Sequence, residues 1–190
     1  MRRTLFLIAI TTASSLGAML PVADVFADGG QFEIRSATSR LTDGVHYANA
    51  RIDFQFSEEA LEALNNGIEL TIRVRIELTR VRRFWLDRDV AELNQDYRIG
   101  YQPLSERYVV TNVNSGDQTS FGTLFSALNN IGRIVDLPII DAALLDSSGR
   151  YEISMKAVLD QNTLPGPLRL LNFWGSGFRV ESNRYVWNLN

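Results

Sequence analysis

From Ile68 to Leu78 apolar and polar side chains alternate without a break. Ile68, Leu70, Ile72, Val74, Ile76 and Leu78 fall on one side, and Glu69, Thr71, Arg73, Arg75 and Glu77 on the other. Period two over this length predicts a strand with one buried face and a wet face carrying both signs of charge. Beyond Leu78 the pattern slips. Arg80 and Arg82 continue the buried phase while Val81 and Arg83 take the other, so a bulge near Thr79 or an exit from the sheet is required.

The same alternation recurs along the chain. Phe32 to Leu41 predicts a first strand, Thr42-Asp43-Gly44 a turn, and Val45 the start of a second strand whose inward set is His46, Ala48, Ala50, Ile52, Phe54 and Phe56. Ser57 is placed to cap a short helix with Glu58 and Glu59 in its first turn, Ala60, Leu61 and Leu64 as its apolar stripe, and Gly67 as its stop. Asp87 to Asn94 reads as a polar connection. Tyr97 to Tyr101, a turn over Pro103 to Glu106, and Tyr108 to Val113 form a second hairpin. Ser120 is read as the cap of a helix presenting Phe121, Leu124, Phe125, Leu128 and Ile131 to the core, with Gly132 past its end. Asp136 to Ser148 is broken by Pro138 and receives no label. Tyr151, Ile153, Met155, Ala157 and Leu159 share one face of a further strand; Pro167 opens a brief helix through Phe173, and Phe178 to Leu189 is a last strand. Seven strand candidates joined mostly by short turns predict a mainly β fold, an antiparallel β-sandwich of immunoglobulin-like strand count with two or three short helices. An α+β arrangement is the alternative. Regular βαβ alternation, the signature of a nucleotide-binding parallel sheet, does not occur.

The first residues follow a different logic. A positive start at Arg2 and Arg3, an apolar run from Leu5 to Leu20, and Val25-Phe26-Ala27 have the layout of a secretory signal, with cleavage expected after Ala27. The expected organisation is a signal peptide over 1–27 and a single β-sandwich domain over 28–190, in the periplasm. Polar interruptions at Thr11, Thr12, Ser14 and Ser15 weaken the run as a permanent span, which leaves an uncleaved N-terminal inner-membrane anchor as the alternative.

Composition narrows the chemistry. A net charge of -3 over 190 residues argues against nucleic acid as a partner, since that binding wants a basic domain or stripe. Without cysteine there are no disulfides, thiolate metal sites or cysteine nucleophiles. His46 is the only histidine, so a triad or a histidine metal site has one candidate and no spacing to support it. Asp87 and Asp89 lack the glycine and distal glutamate of a calcium loop. No catalytic residue, metal or cofactor is assigned. The most pointed feature is the basic-aromatic tip Arg80, Arg82, Arg83, Phe84 and Trp85, with Arg88 close behind. Guanidinium groups beside aromatic rings suit an oxyanion, an anionic lipid surface or a protein partner. The bland alternative is an arginine ladder neutralised by Asp87, Asp89 and nearby glutamates.

Several segments together look familiar: Leu41-Thr42-Asp43-Gly44-Val45, Ser57 through Gly67, Arg80 through Asp87, the hairpin from Tyr97 to Asn112, and Leu164-Pro165-Gly166-Pro167-Leu168-Arg169-Leu170 with Tyr185 and Trp187 after it. They resemble an exported proteobacterial family known as a domain of unknown function, over nearly the whole of 28–190. In that family's pattern a run of Trp follows the basic tip, where this chain has Phe84-Trp85-Leu86, and a His is frequent where this chain has Gln102. The resemblance implies compartment and single-domain extent, carries no catalytic residue, and suggests an envelope protein partner such as a membrane sensor. The resulting expectation is a non-enzymatic interaction or sensing module of the bacterial cell envelope. A periplasmic lipid or small-ligand carrier is the alternative, followed by a carboxylate-dependent hydrolase.

Overall fold

In the computed structural model residues 29–82, 88–160 and 180–189 are described. The expected signal peptide over 1–27, the tip residues Arg83, Phe84 and Trp85, Asp87, and the Pro167 helix lie outside them, as does the start of the last expected strand at Phe178. Strands β1 (Gln31–Thr42) and β2 (Val45–Gln55) form the predicted hairpin. Asp43 and Gly44 both have positive φ (50° and 79°), and their handedness matches the twist of the strands they join. His46, Ala48, Ala50, Ile52 and Phe56 are buried in alternation, as the pattern required.

Helix α1 (Glu58–Asn65) follows. The Ser57 hydroxyl accepts from the Ala60 amide at 3.3 Å, satisfying a donor that the first helical turn would otherwise orphan. At the other end Gly67 takes φ 80°, its amide donates to the Leu64 carbonyl, and the Ile68 amide donates to that of Ala63. This paired closure fixes the angle at which the chain enters β3 (Leu70–Val81).

β3 runs antiparallel to β4 (Arg88–Gln102), which continues through a turn into β5 (Arg107–Asn112) and β6 (Gln118–Phe121). The reading of Asp87 to Asn94 as a connection is therefore corrected: Arg88 to Asn94 are strand. Their alternation was hidden because the inward phase of β4, which carries Ala91, Leu93, Tyr97 and Ile99, is interrupted by a buried polar residue, Gln95. The register does shift beside Thr79, but the extra residue is Val90 on β4: Leu78 faces Ala91 and Thr79 faces Asp89. β3 itself stays regular to Val81 against β8 (Arg150–Asp160).

Between β6 and β8 lie helix α2 (Leu124–Ile131), strand β7 (Arg133–Asp141) and a 3-10 turn over Ala142–Leu144. Two expectations fail here for local reasons. Ser120 belongs to β6, and the cap is Thr123, whose hydroxyl accepts from the Ser126 amide at 3.2 Å. Phe125 is 76% exposed, because the buried stripe of this short helix is Ala127, Leu128 and Ile131. β7 forms the unlabelled part of the chain; its Pro138 is tolerated at the edge of the sheet, where a missing amide leaves no ladder bond unmade.

Among the described residues nine strands form two antiparallel sheets, ordered β1-β2-β7 and β6-β5-β4-β3-β8-β9, the last being Tyr185–Asn188. The fold is mainly β. The apolar faces of both sheets and the buried sides of both helices meet in one core, in which Ile72, Val74, Ile76, Ile153 and Met155 are at most 1% exposed. A bridge between Phe32 and Ser182, with the Asn183 side chain accepting from the Ile34 amide, ties the two sheets along one side.

Candidate functional site

Because β3 is bonded to β4 on one flank and β8 on the other, its solvent-facing residues sit in rows with those of both neighbours. One row is Asp96, Arg73 and Val158; the next is Asn94, Arg75 and Lys156; the third is Glu92, Glu77 and Ser154. Cations thus stand directly opposite one another in the second row, and acids in the third. Like charges directly opposite on a sheet face cost roughly 0.2–1 kcal/mol each, so these pairings are held against their own repulsion.

Ion pairs, one of them directly across the strands and the others diagonal, offset part of that cost. The Arg73 guanidinium is gripped by both carboxylate oxygens of Asp96 at 2.8 Å and lies 3.2 Å from Asp160, whose side chain is 7% exposed. The hydrogen bonds it donates to Asp96 raise the Arg73 pKa above its ordinary value. Arg75 is held more loosely, 3.4 Å from Glu92, with both side chains about half exposed (50% and 51%). Lys156 turns to Glu181 at 2.5 Å, and Arg184 reaches Glu77 at 3.1 Å and the Ser154 hydroxyl at 3.0 Å. Arg73, Arg75, Glu77, Lys156, Glu181 and Arg184 help line an open groove of about 660 Å³ on the outer face of β3 and β8. Asp53 is on the other sheet, where it pairs with Arg35 at 2.8 Å.

The basic tip is only partly brought together. Arg80 faces Arg88 across β4 and Tyr151 across β8, and its guanidinium donates to Asp146 at 2.6 Å. The carboxylate that neutralises it comes from the loop after the 3-10 turn, while Asp89 accepts from the Thr79 hydroxyl at 3.3 Å. Two hydrogen bonds from Ser148, and then the one from Arg80, draw the Asp146 pKa down to about 2. Arg82 and Arg88 are exposed at the strand ends. His46 lies buried between Leu41 and Ile140, burial pushes its imidazole pKa down, and its Nδ1 has no hydrogen-bond partner. Among the described residues no group of three or more His, Asp or Glu is placed to hold a metal ion.

A second groove, of about 490 Å³, opens on the outer face of β1 and β2 beside α2, with Arg51 bonded to Asn129 at 2.9 Å and the exposed Phe125 at its rim. Neither groove was legible in the sequence. Lys156 stands alone among eighteen arginines, but its position opposite Arg75 depends on strand pairing, which alternation does not encode.

The profile of the family described as a domain of unknown function (DUF4390) matches residues 29–188, which takes in every described element. The chain belongs to the DUF4390 family. No curated protein and no solved structure matches it. Within this DUF4390 domain the charged groove lies on β3 and β8 of the larger sheet, and Arg80 of the basic tip lies near the end of β3.

Proposed function

We propose that this DUF4390 chain is an exported, non-enzymatic interaction module of the bacterial cell envelope, and that it meets a protein partner through the charged groove on β3 and β8. One observation carries the reading: the groove is open and lined by cations, of which Arg75, Lys156 and Arg184 are themselves 41–60% exposed and paired with exposed or half-buried carboxylates. Exposed pairs of this kind contribute about 0–1 kcal/mol each, so a partner's charges can replace them at little cost. Trp and Arg enrichment at contact hot spots makes the tip, with Arg80, Arg82, Arg83, Phe84, Trp85 and Arg88, a second contact. The carrier alternative calls for an apolar cavity between the sheets. The inward residues of β3 and β8 are instead tightly buried, and both grooves open outward.

The test is a photo-crosslinking residue at Val158, inside the groove, in cells at native expression, with Leu104 on the distant hairpin turn as control. The expected result is an adduct with an envelope protein from Val158 and none from Leu104. Equal adducts from both positions, or none from either, would remove the proposal. N-terminal sequencing of the same protein should begin at Asp28; a chain starting at Met1 in the inner membrane would replace the cleaved signal with an anchor.

A further inference from the structure

We infer that the groove seats one carboxylate of an extended partner segment between Arg75 and Lys156, with a cation of the same segment two residues away over Glu77 and Glu92. The inference rests on the groove being a contact surface and names the partner's chemistry. Arg75 and Lys156 are direct register partners on adjacent strands, yet the acids that hold them stand on the outer flanks. Glu92 is on β4, beyond β3, and Glu181 is beyond β8. The strip between the two cations has no carboxylate of its own in that row, which reads Asn94, Arg75, Lys156. A planar carboxylate placed there accepts from a guanidinium on one side and an ammonium on the other, and relieves the repulsion between them.

The neighbouring row decides what kind of anion fits. Two residues along β3, Glu77 faces Glu92, with Arg184 3.1 Å from Glu77, so facing acids replace facing cations over about 7 Å, the span of two residues in a strand. A polyanion would place its second charge over these acids. An extended peptide carrying an acid and a base at i and i+2 puts both on one face at that same spacing. Charge complementarity therefore selects a polypeptide of mixed charge over a phosphate-rich ligand.

The experiment titrates a nine-residue peptide of threonine and serine, carrying one Glu and one Arg two positions apart, into the isotope-labelled full chain. Amide shifts are followed by NMR. Saturable shifts are expected at residues 73–77 and 154–158, and a peptide with Gln in place of the Glu should bind at least about five-fold more weakly. Lys156→Glu should lose the parent peptide and bind one in which the Glu is replaced by Lys; Lys156→Gln, which adds no new charge, should weaken the parent about five-fold and serves as the folded control. Equal binding of the Glu and Gln peptides, shifts mapping elsewhere, or inorganic phosphate saturating the same amides at equal concentration would each overturn the carboxylate seat. Success at Val158 with failure here leaves the contact surface standing without this chemistry. Failure at Val158 with peptide discrimination intact keeps the seat and removes the envelope partner.

Discussion

Asp146 shows how a carboxylate from another element answers one arginine of the basic tip, Arg80. Its pKa is depressed to about 2, first by the backbone and side-chain hydrogen bonds of Ser148 and then by Arg80. A carboxyl whose folded pKa lies below its unfolded value stabilises the fold fully above the unfolded pKa of about 3.8, and that contribution is lost as pH falls toward about 2. Arg80→Gln should therefore raise the Asp146 midpoint, read by carbon NMR of the carboxyl, without returning it to the unfolded value, because both Ser148 bonds remain. A midpoint unchanged by the substitution would show that Arg80 does not engage Asp146 in solution. This residue also marks a limit of reading from sequence. The arginines of the tip were visible as a cluster, but the acid that answers Arg80 lies 66 positions away and reaches it only because β8 brings its loop alongside β3.

Among the elements, the two helices end in ways that differ physically although both use glycine. At Gly67 the backbone is left-handed with open space around it, so Gly67→Ala should cost about 1 kcal/mol from backbone strain alone. Gly132 has an ordinary φ, but a Cβ there would stand 2.0 Å from the Ile52 carbonyl oxygen, backbone that cannot move without breaking the β2 contact. Gly132→Ala should cost about 3 kcal/mol. Urea unfolding of both variants checks the order; a larger loss at Gly67 would contradict it. Elements with uninterrupted alternation, such as β2, β3 and β8, were legible in most of their apolar buried residues, though Thr71 on the wet phase is buried too. β4 and β7 were not, because Gln95 occupies a core-facing position in one, and in the other Pro138 and the positive φ of Asp136 (51°) break the period. The cap of α2 was misplaced by three residues because Ser120 and Thr123 carry the same capping chemistry.

Taken as a whole molecule, the fold class was legible because alternation and turn chemistry agree along most of the chain. The division into a three-stranded and a six-stranded sheet was not, since it depends on which edges pair across long stretches of sequence. The groove inherits that dependence: Arg75, Lys156 and Glu181 become neighbours only once β3, β8 and the segment beyond β8 are side by side. The position of β3 has a further consequence, in time. Its backbone is bonded on both flanks from Thr71 to Arg80, while among the described residues β6, β7 and β9 each pair on one flank. Amides from Ile72 to Leu78 should exchange with solvent deuterium only through complete unfolding, with an opening free energy equal to the global one, while those of β6 and β7 exchange sooner. Earlier exchange in β3 than in the edge strands would refute this. The arginines of β3 that face the groove are thus mounted on backbone bonded along both flanks, and a partner that docks there meets a strand already ordered.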